Sequence, residues 1–200
     1  MKKKHLFDHY LNAIIFAQAM KKGKSILEKE RFELTIDRLC RQLIEEYENF
    51  EGACLIGIQP RGVHLADRIH SRLEELLSIS ELEYGKLDIT FFRDDFRTRE
   101  APLKASSMEM DFLIEGKKVI LIDDVLYTGR TIQAALSALQ QYGRPERVEL
   151  LSLIDRRFNR HLPIQSDYIG LTVDAIDEAY VKVEWKELDG ADRVLLFSDK

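Results

Sequence analysis

Residues 119–131, with the sequence VILIDDVLYTGRT, combine two kinds of chemistry in a short stretch. Two adjacent carboxylates, Asp123 and Asp124, directly follow four large apolar residues that predict a buried strand. In an open parallel sheet, ligands bind beyond the carboxyl ends of the strands. We therefore expect both carboxylates to face a ligand, either as acceptors for sugar hydroxyls or beside a hydrated cation.

The turn that follows, Val125 to Thr131, has the composition of a phosphate site. It leads into a predicted helix, whose first N–H groups lack partners and whose dipole favours an anion. Thr128 and Thr131 add hydroxyl donors, and Gly129 lets the backbone close around a phosphate. A ligand with a ribose diol and a 5′-phosphate would fit both halves of the segment.

Simpler explanations of the acidic pair remain open at this point. Adjacent aspartates at a strand end also occur as a solvated terminus or a helix cap. Receiver domains carry such a pair after their first strand, whereas at least three predicted strands precede Asp123 here. A Walker A loop is excluded because its glycine-lysine pattern is absent.

The elements around this segment alternate between strand and helix, which predicts an α/β fold with a mostly parallel central sheet flanked by helices. Residues 93–111 show neither period and predict a long surface loop. We expect helices over 32–47, 63–77 and 130–142, and strands at 25–28, 53–58, 86–92, 118–122, 147–154, 180–185 and 193–197, the last two as short edge strands.

Composition sets further limits. The 200 residues carry a formal net charge of −5, which suits one domain, with room for a small appendage, and gives no global basic field for a polyanion. Cys40 and Cys54 lack zinc or redox spacing and predict reduced core residues of a cytoplasmic protein.

The start of the chain has the outline of a signal peptide, but Asn12 and Gln18 interrupt its apolar run, so an amphipathic helix is favoured. No run is long enough to span a membrane.

The segment 119–131 resembles the ribose-phosphate signature of type I phosphoribosyltransferases, which use phosphoribosyl pyrophosphate (PRPP). Further stretches resemble, in order and spacing, the PyrR family of pyrimidine operon regulators and uracil phosphoribosyltransferases. They are GIQPRG (57–62), LDITFFRDDF (87–96), YGRPERVELLSLIDRR (142–157) and LPIQSDYIG (162–170). The resemblance implies a type I phosphoribosyltransferase-like domain over 25–200 with a flexible active-site loop, preceded by a helical extension over 1–24.

The resemblance also implies residue roles. Asp123 and Asp124 would hold the ribose hydroxyls and, mostly through PRPP and water, Mg²⁺. The 5′-phosphate would lie on Val125, Leu126, Tyr127, Thr128, Gly129, Arg130 and Thr131. Pro60, Arg61 and Gly62 would receive pyrophosphate, with Arg61 supplying charge beside the leaving group. The loop from Arg93 to Asp111 would close over the substrate, with Arg93, Arg97, Arg99 and Lys104 as candidate pyrophosphate contacts.

On the base side, the resemblance implies a pocket shaped by Asp155, Arg156, Ile169 and Gly170. Related purine salvage enzymes have an acidic residue where this chain has Tyr127, and this difference favours a pyrimidine. The chain departs from PyrR at Leu171, which replaces a lysine, and the segment 156–162 is one residue longer. Negative charge is added by Asp174, Asp177 and Glu178.

These features predict an enzyme that converts uracil and PRPP to uridine monophosphate and pyrophosphate, in a homodimer or homotetramer. Two alternatives remain: a type I enzyme for another base, and an mRNA-binding regulator of pyrimidine operon attenuation with weak or no catalysis. A basic RNA-binding face would draw on Arg41, Arg144, Arg147, Arg157 and Arg160. Gln165, Leu171 and the nearby acidic residues weaken such a face.

Overall fold

The computed structural model describes residues 23–94, 109–174 and 179–197. These residues form two compact units, one of 33–94 and 109–174 and the other of 23–32 and 179–197. In chain order the elements are β1 (Lys24–Glu28), α1 (Glu30–Tyr47), β2 (Ala53–Ile58), α2 (Gly62–Leu77), β3 (Tyr84–Leu87), β4 (Lys118–Leu126), α3 (Arg130–Leu139), β5 (Arg147–Arg156), β6 (Tyr168–Val173), β7 (Tyr180–Glu184), α4 (Lys186–Asp189) and β8 (Arg193–Phe197).

The larger unit contains a five-stranded parallel sheet in the order β3-β2-β4-β5-β6. Every residue of β2 is buried, as expected for a strand inside a parallel sheet that is covered on both faces. The amphipathic helix α3 contributes Ile132, Ala135 and Leu139 to the same apolar core. Because all five strands run in one direction, their carboxyl ends meet at one edge of the sheet.

The predicted α/β organisation is confirmed, but in the larger unit two predicted strands have other bounds and one strand was missed. The strand expected over 86–92 is instead β3, which ends at Leu87 and is followed by a 3₁₀ turn at Thr90–Phe92. The carboxylate of Asp88 accepts a 2.7 Å hydrogen bond from the backbone N–H of Thr90, and this turn ends the strand. Strand β4 runs past 122 to Leu126, so it includes both aspartates. Strand β6 was not predicted.

The smaller unit is built on a three-stranded antiparallel sheet in the order β1-β8-β7. Its core includes the fully buried Trp185, whose ring meets Phe32 edge to face with centroids 5.5 Å apart. The prediction of two edge strands holds for β7, whereas β8 is the central strand. This sheet is separate from the parallel one.

Several expectations concern residues outside the described part. The N-terminal helix and loop positions Arg97, Arg99 and Lys104 fall there, and the division at residue 24 stays a prediction. Cys40 and Cys54 are both buried and free of disulfides. Over residues 23–94, 109–174 and 179–197, every helix is too short or too polar to cross a bilayer.

Candidate active site

The acidic pair lies where β4 extends beyond its neighbour. Pairing between β2 and β4 stops at Gly57 and Ile122, while pairing with β5 continues from Asp123 to Leu126. The two aspartates therefore occupy a step in the sheet edge, next to the turn that follows β2. Asp123 is 6% exposed and Asp124 8%, so both side chains are withdrawn from bulk water.

The turn after β2 fits closely against this step. The backbone N–H of Gln59 donates to the carbonyl of Leu87 at 2.9 Å, and the Gln59–Pro60 peptide is cis. Helix α2 then begins at Gly62, where a Cβ atom would lie 2.6 Å from the carbonyl oxygen of Ile122 and 3.1 Å from Oδ1 of Asp123. Only glycine allows the helix to start this close to the acidic pair.

Burial and charge act on the two carboxyl groups in different ways. Burial, reinforced by the charge of Asp124, raises the pKa of Asp123 well above its usual value, and the nearby Arg93 opposes this rise. Burial also raises the pKa of Asp124, while Arg61 lowers it from 3.3 Å away, donating from Nε to Oδ2. A cation or several hydroxyl donors bound here would favour the charged form of both carboxyl groups.

The turn at 127–131 forms a cradle at the start of α3. Gly129 adopts φ +91°, a conformation that costs glycine little. The first hydrogen bond within the helix runs from the N–H of Gln133 to the carbonyl of Gly129, at 3.0 Å. The amides of Thr131 and Ile132 therefore have no partner inside the helix, as in an anion site at a helix N-terminus.

An open cavity of about 520 Å³ joins the cradle to Asp123. Its lining includes Asp123, the whole turn from 125 to 131, and Arg93 with Asp94 from the start of the predicted loop. Asp94 forms an ion pair with Arg130 at the mouth of the cradle. Most of the predicted PRPP contacts thus surround one cavity, whereas Pro60, Arg61, Gly62 and Asp124 do not line it.

The residues predicted for the base pocket fall into two groups. Arg156 ends β5 beside the cradle, and its guanidinium lies 3.9 Å from the centroid of the Tyr127 ring. Asp155, the preceding residue, forms an ion pair with Arg160. Ile169 and Gly170, in contrast, lie within β6 before the level of Asp155, which is opposite Thr172.

Ile169 and Gly170 have structural partners of their own. Their carbonyl oxygens accept hydrogen bonds from the Arg38 guanidinium at 3.1 and 2.6 Å. A Cβ atom on Gly170 would lie 2.4 Å from the carbonyl oxygen of Leu153, so glycine permits the tight pairing of β5 and β6. The structure does not bring these two residues to the cavity, and their role toward a base stays a prediction.

One contribution to the site was missed from the sequence. Arg160 donates to the carbonyl of Tyr127, and the N–H of His161 donates to the carbonyl of Thr128 at 3.0 Å. The segment 160–164 therefore packs behind the cradle. The sequence contains no local signal for this, because the partners lie 33 positions apart.

The predicted RNA-binding arginines have carboxylate partners close by. The pairs are Arg41 with Asp37, Arg147 with Glu46, Arg157 with Asp174, and Arg160 with Asp155. Four of the five side chains are thus partly neutralised, which reduces the attraction of this surface for phosphates. Asp177 and Glu178 fall outside the described residues.

The donor set suits Mg²⁺ that arrives with a substrate. Within the described ranges, no cluster of three or more His, Cys, Asp or Glu side chains could form an all-protein metal site. Mg²⁺ commonly takes one or two carboxylates and completes its shell with water and substrate phosphates. Asp123 and Asp124 match that requirement.

Comparisons with known proteins agree with this geometry. The phosphoribosyl transferase domain profile matches residues 22–188. The Bifunctional protein PyrR of Actinobacillus pleuropneumoniae is 42% identical over 177 residues, covering 88% of this chain and 98% of that protein. Its namesake from Haemophilus ducreyi is 43% identical over 173 residues, covering 86% and 96%.

Solved structures show the same fold at low sequence identity. A hypoxanthine phosphoribosyltransferase from Staphylococcus aureus has a TM-score of 0.62 at 22% identity, over 86% of this chain and 90% of that one. The hypoxanthine phosphoribosyltransferase of Trypanosoma cruzi has a TM-score of 0.64 at 14% identity, over 90% and 98%. At these identities the likeness concerns the fold alone.

Proposed function

Because the chain belongs to the phosphoribosyl transferase domain family and, within it, to the PyrR proteins, we propose that it transfers ribose 5-phosphate from PRPP to a pyrimidine base. The observation that carries the proposal is the cavity that joins the phosphate cradle to Asp123 of the buried acidic pair. Ribose 5-phosphate has hydroxyl groups that suit a carboxylate and a phosphate that suits the cradle.

The proposed chemistry follows from where charge develops. As the bond between C1′ and pyrophosphate breaks and the bond to the base nitrogen forms, the ribose ring gains positive charge and the leaving group gains negative charge. Asp123 and Asp124 hold the ribose hydroxyls and place negative charge beside the ring, while Arg61 and Arg93 attract the leaving group. When bound, Mg²⁺ supplies further positive charge against pyrophosphate. The base gives up its nitrogen proton to solvent water as the new bond forms.

We assign uracil as the base because Tyr127 occupies the position that is acidic in related purine salvage enzymes. The guanidinium of Arg156 lies against the Tyr127 ring, so this wall of the site has a cation where a purine site would have a carboxylate. A positive charge here suits a pyrimidine whose oxygens accept hydrogen bonds. We place the reaction in the cytoplasm, where the buried Cys40 and Cys54 stay reduced. We also propose that the enzyme is a homodimer or homotetramer.

The test uses purified protein with PRPP, Mg²⁺ and a panel of uracil, cytosine, hypoxanthine and guanine. We expect uridine monophosphate and pyrophosphate in equal amounts from uracil, and slow or no turnover with the purines. Preferred turnover of a purine would contradict the pyrimidine assignment, and no turnover with any base would contradict the transferase.

Variants of the acidic pair test the site itself. Asp123→Asn and Asp124→Asn are each expected to slow turnover by about one to two decades, since hydrogen bonds to charged groups contribute about 1.5–3 kcal/mol. Glu115→Gln, three residues before the start of β4, is the matched control and should keep full turnover. Unchanged kinetics in the Asp123/Asp124 double variant would remove the pair from the mechanism.

A further inference from the structure

We propose that Arg160 is a positioning residue that turns the amides of the phosphate cradle toward the ligand. This inference rests on the proposed function and assigns the 5′-phosphate end of that site a support that lies outside the segment 125–131. Arg160 lies on the loop after β5, and it binds two different elements at once. Its Nη1 donates to the carbonyl of Tyr127, and its Nη2 donates to Oδ1 of Asp155.

A second contact continues the same pattern by one residue. The backbone N–H of His161 donates to the carbonyl of Thr128 at 3.0 Å. Two consecutive carbonyl oxygens of the cradle, those of Tyr127 and Thr128, are therefore held by one loop. Behind Gly129, the side chains of Leu162 and Ile164 lie 3.4 and 3.3 Å from where a Cβ atom would be, which shows that the loop packs on the turn.

The geometry of the peptide group gives this arrangement its consequence. In a planar trans peptide the carbonyl and the N–H point in opposite directions. Holding the carbonyl of Tyr127 therefore directs the N–H of Thr128 the other way, and holding the carbonyl of Thr128 does the same for the N–H of Gly129. Both residues line the cavity, so an N–H directed away from the segment 160–164 can serve a phosphate bound there.

The same contacts remove a repulsion. Free carbonyl oxygens turned into the cradle would oppose a doubly charged phosphate, and Gly129 eases such a rotation for the carbonyl of Thr128. Arg160 fixes the favourable orientation before the ligand arrives, so binding does not have to order the turn. The charge of Arg160 is itself balanced by Asp155, which is 8% exposed, so the guanidinium is anchored at a defined place.

The test compares two ligands that use different ends of the site. Ribose 5-phosphate needs the cradle, whereas pyrophosphate is assigned to Arg61 and Arg93. Their inhibition constants against PRPP are measured for the wild type and for Arg160→Met. We expect inhibition by ribose 5-phosphate to weaken about tenfold, as for loss of one oriented contact to a charged ligand, and inhibition by pyrophosphate to stay within twofold.

Arg160→Lys guards against a folding defect, because Met at 160 leaves the buried carboxylate of Asp155 without its cation. Lysine keeps that ion pair but lacks the planar fork that reaches Tyr127 as well. The Arg160→Lys variant should keep the wild-type melting temperature, and its inhibition by ribose 5-phosphate should still be weaker than that of the wild type. Arg157→Met is the matched control, since this neighbouring arginine pairs with Asp174, and it should leave both constants unchanged.

The outcomes separate the inference from the proposed function. Equal weakening of both ligands, or no change with Arg160→Lys and Arg160→Met, would overturn the positioning role while leaving the transferase intact. A wild-type protein that binds neither ribose 5-phosphate nor PRPP would contradict the proposed function instead.

Discussion

Arg61 and Asp124 meet across the step between β2 and β4, with Nε of the arginine 3.3 Å from Oδ2 of the carboxylate. Arg61 precedes α2 and Asp124 lies inside β4, so the contact joins the region assigned to pyrophosphate with the region assigned to ribose. The Arg61 side chain is 38% exposed, whereas that of Asp124 is 11% exposed. A change at either residue is therefore expected to alter both the protonation of the site and the binding of substrate.

The first prediction concerns the acid limb of the pH profile. Arg61 lowers the pKa of Asp124 against the opposing effect of burial, so Arg61→Met should raise that pKa. The carboxylate would then take up its proton at a higher pH, and turnover would fall earlier as the pH decreases. A profile of kcat/KM against pH measures the shift. An acid limb that stays in place, or moves to lower pH, would contradict the proposed coupling.

The second prediction links the acidic pair to stability. The pKa of Asp123 is raised in the folded state, so the folded protein binds a proton that the unfolded chain has released. The contribution of Asp123 to stability is therefore fully present below the unfolded pKa of 3.8 and is lost as the pH rises through the raised folded pKa. Asp123→Asn should melt at a higher temperature than the wild type at neutral pH, with the gap closing toward about pH 4.

This comparison uses thermal melts of both proteins in the same buffers. Asparagine keeps an oxygen that can accept the 3.0 Å hydrogen bond from the N–H of Asp124, so the variant removes charge and little else. Glu115→Gln again serves as the control. A gap that is constant with pH would show that the charge of Asp123 is not the cause.

The acidic pair and the cradle could be predicted because they are contiguous in the chain. An apolar run followed by Asp, Thr and Gly indicates a strand, an acidic strand end and a turn without any information from distant residues. The length of β4 could not be predicted from the sequence, because it depends on the register with β5, in which Leu126 pairs with Asp155. The stack of Arg156 on Tyr127 likewise depends on two strands ending side by side. Such contacts arise only from tertiary structure.

The third prediction concerns Asp94, which pairs with Arg130 at the mouth of the cradle. A phosphate must compete with this carboxylate for the guanidinium, and the negative charge of Asp94 also repels it. Asp94→Asn should therefore bind ribose 5-phosphate about two- to fivefold more tightly, a modest effect because both side chains are about half exposed. Titration calorimetry gives the constants, and Glu109→Gln, outside the cavity lining, is the control. Weaker binding of ribose 5-phosphate by Asp94→Asn would contradict this and show that Asp94 supports phosphate binding.

The fourth prediction concerns residues 1–19, which precede the family match at residue 22. A chain that starts at Met20 keeps the whole matched region, so we expect it to keep the melting temperature and turnover of the full chain. Differential scanning fluorimetry and the uracil assay compare the two proteins. Aggregation or lost activity would show that the apolar run from Leu11 to Phe16 packs on the body or on a second subunit.

The last prediction concerns RNA, because the relatives are named bifunctional. Arg147 and Arg157 each have a carboxylate partner, at 2.8 and 2.7 Å, so a phosphate would have to displace an existing ion pair. We therefore expect a pyrimidine-leader RNA to bind no more tightly than an unrelated hairpin of equal length, with affinity falling steeply as salt increases. Filter binding at several salt concentrations measures this. A selective complex at near-physiological salt, weakened by Arg157→Ala but not by Glu115→Gln, would place RNA regulation ahead of catalysis.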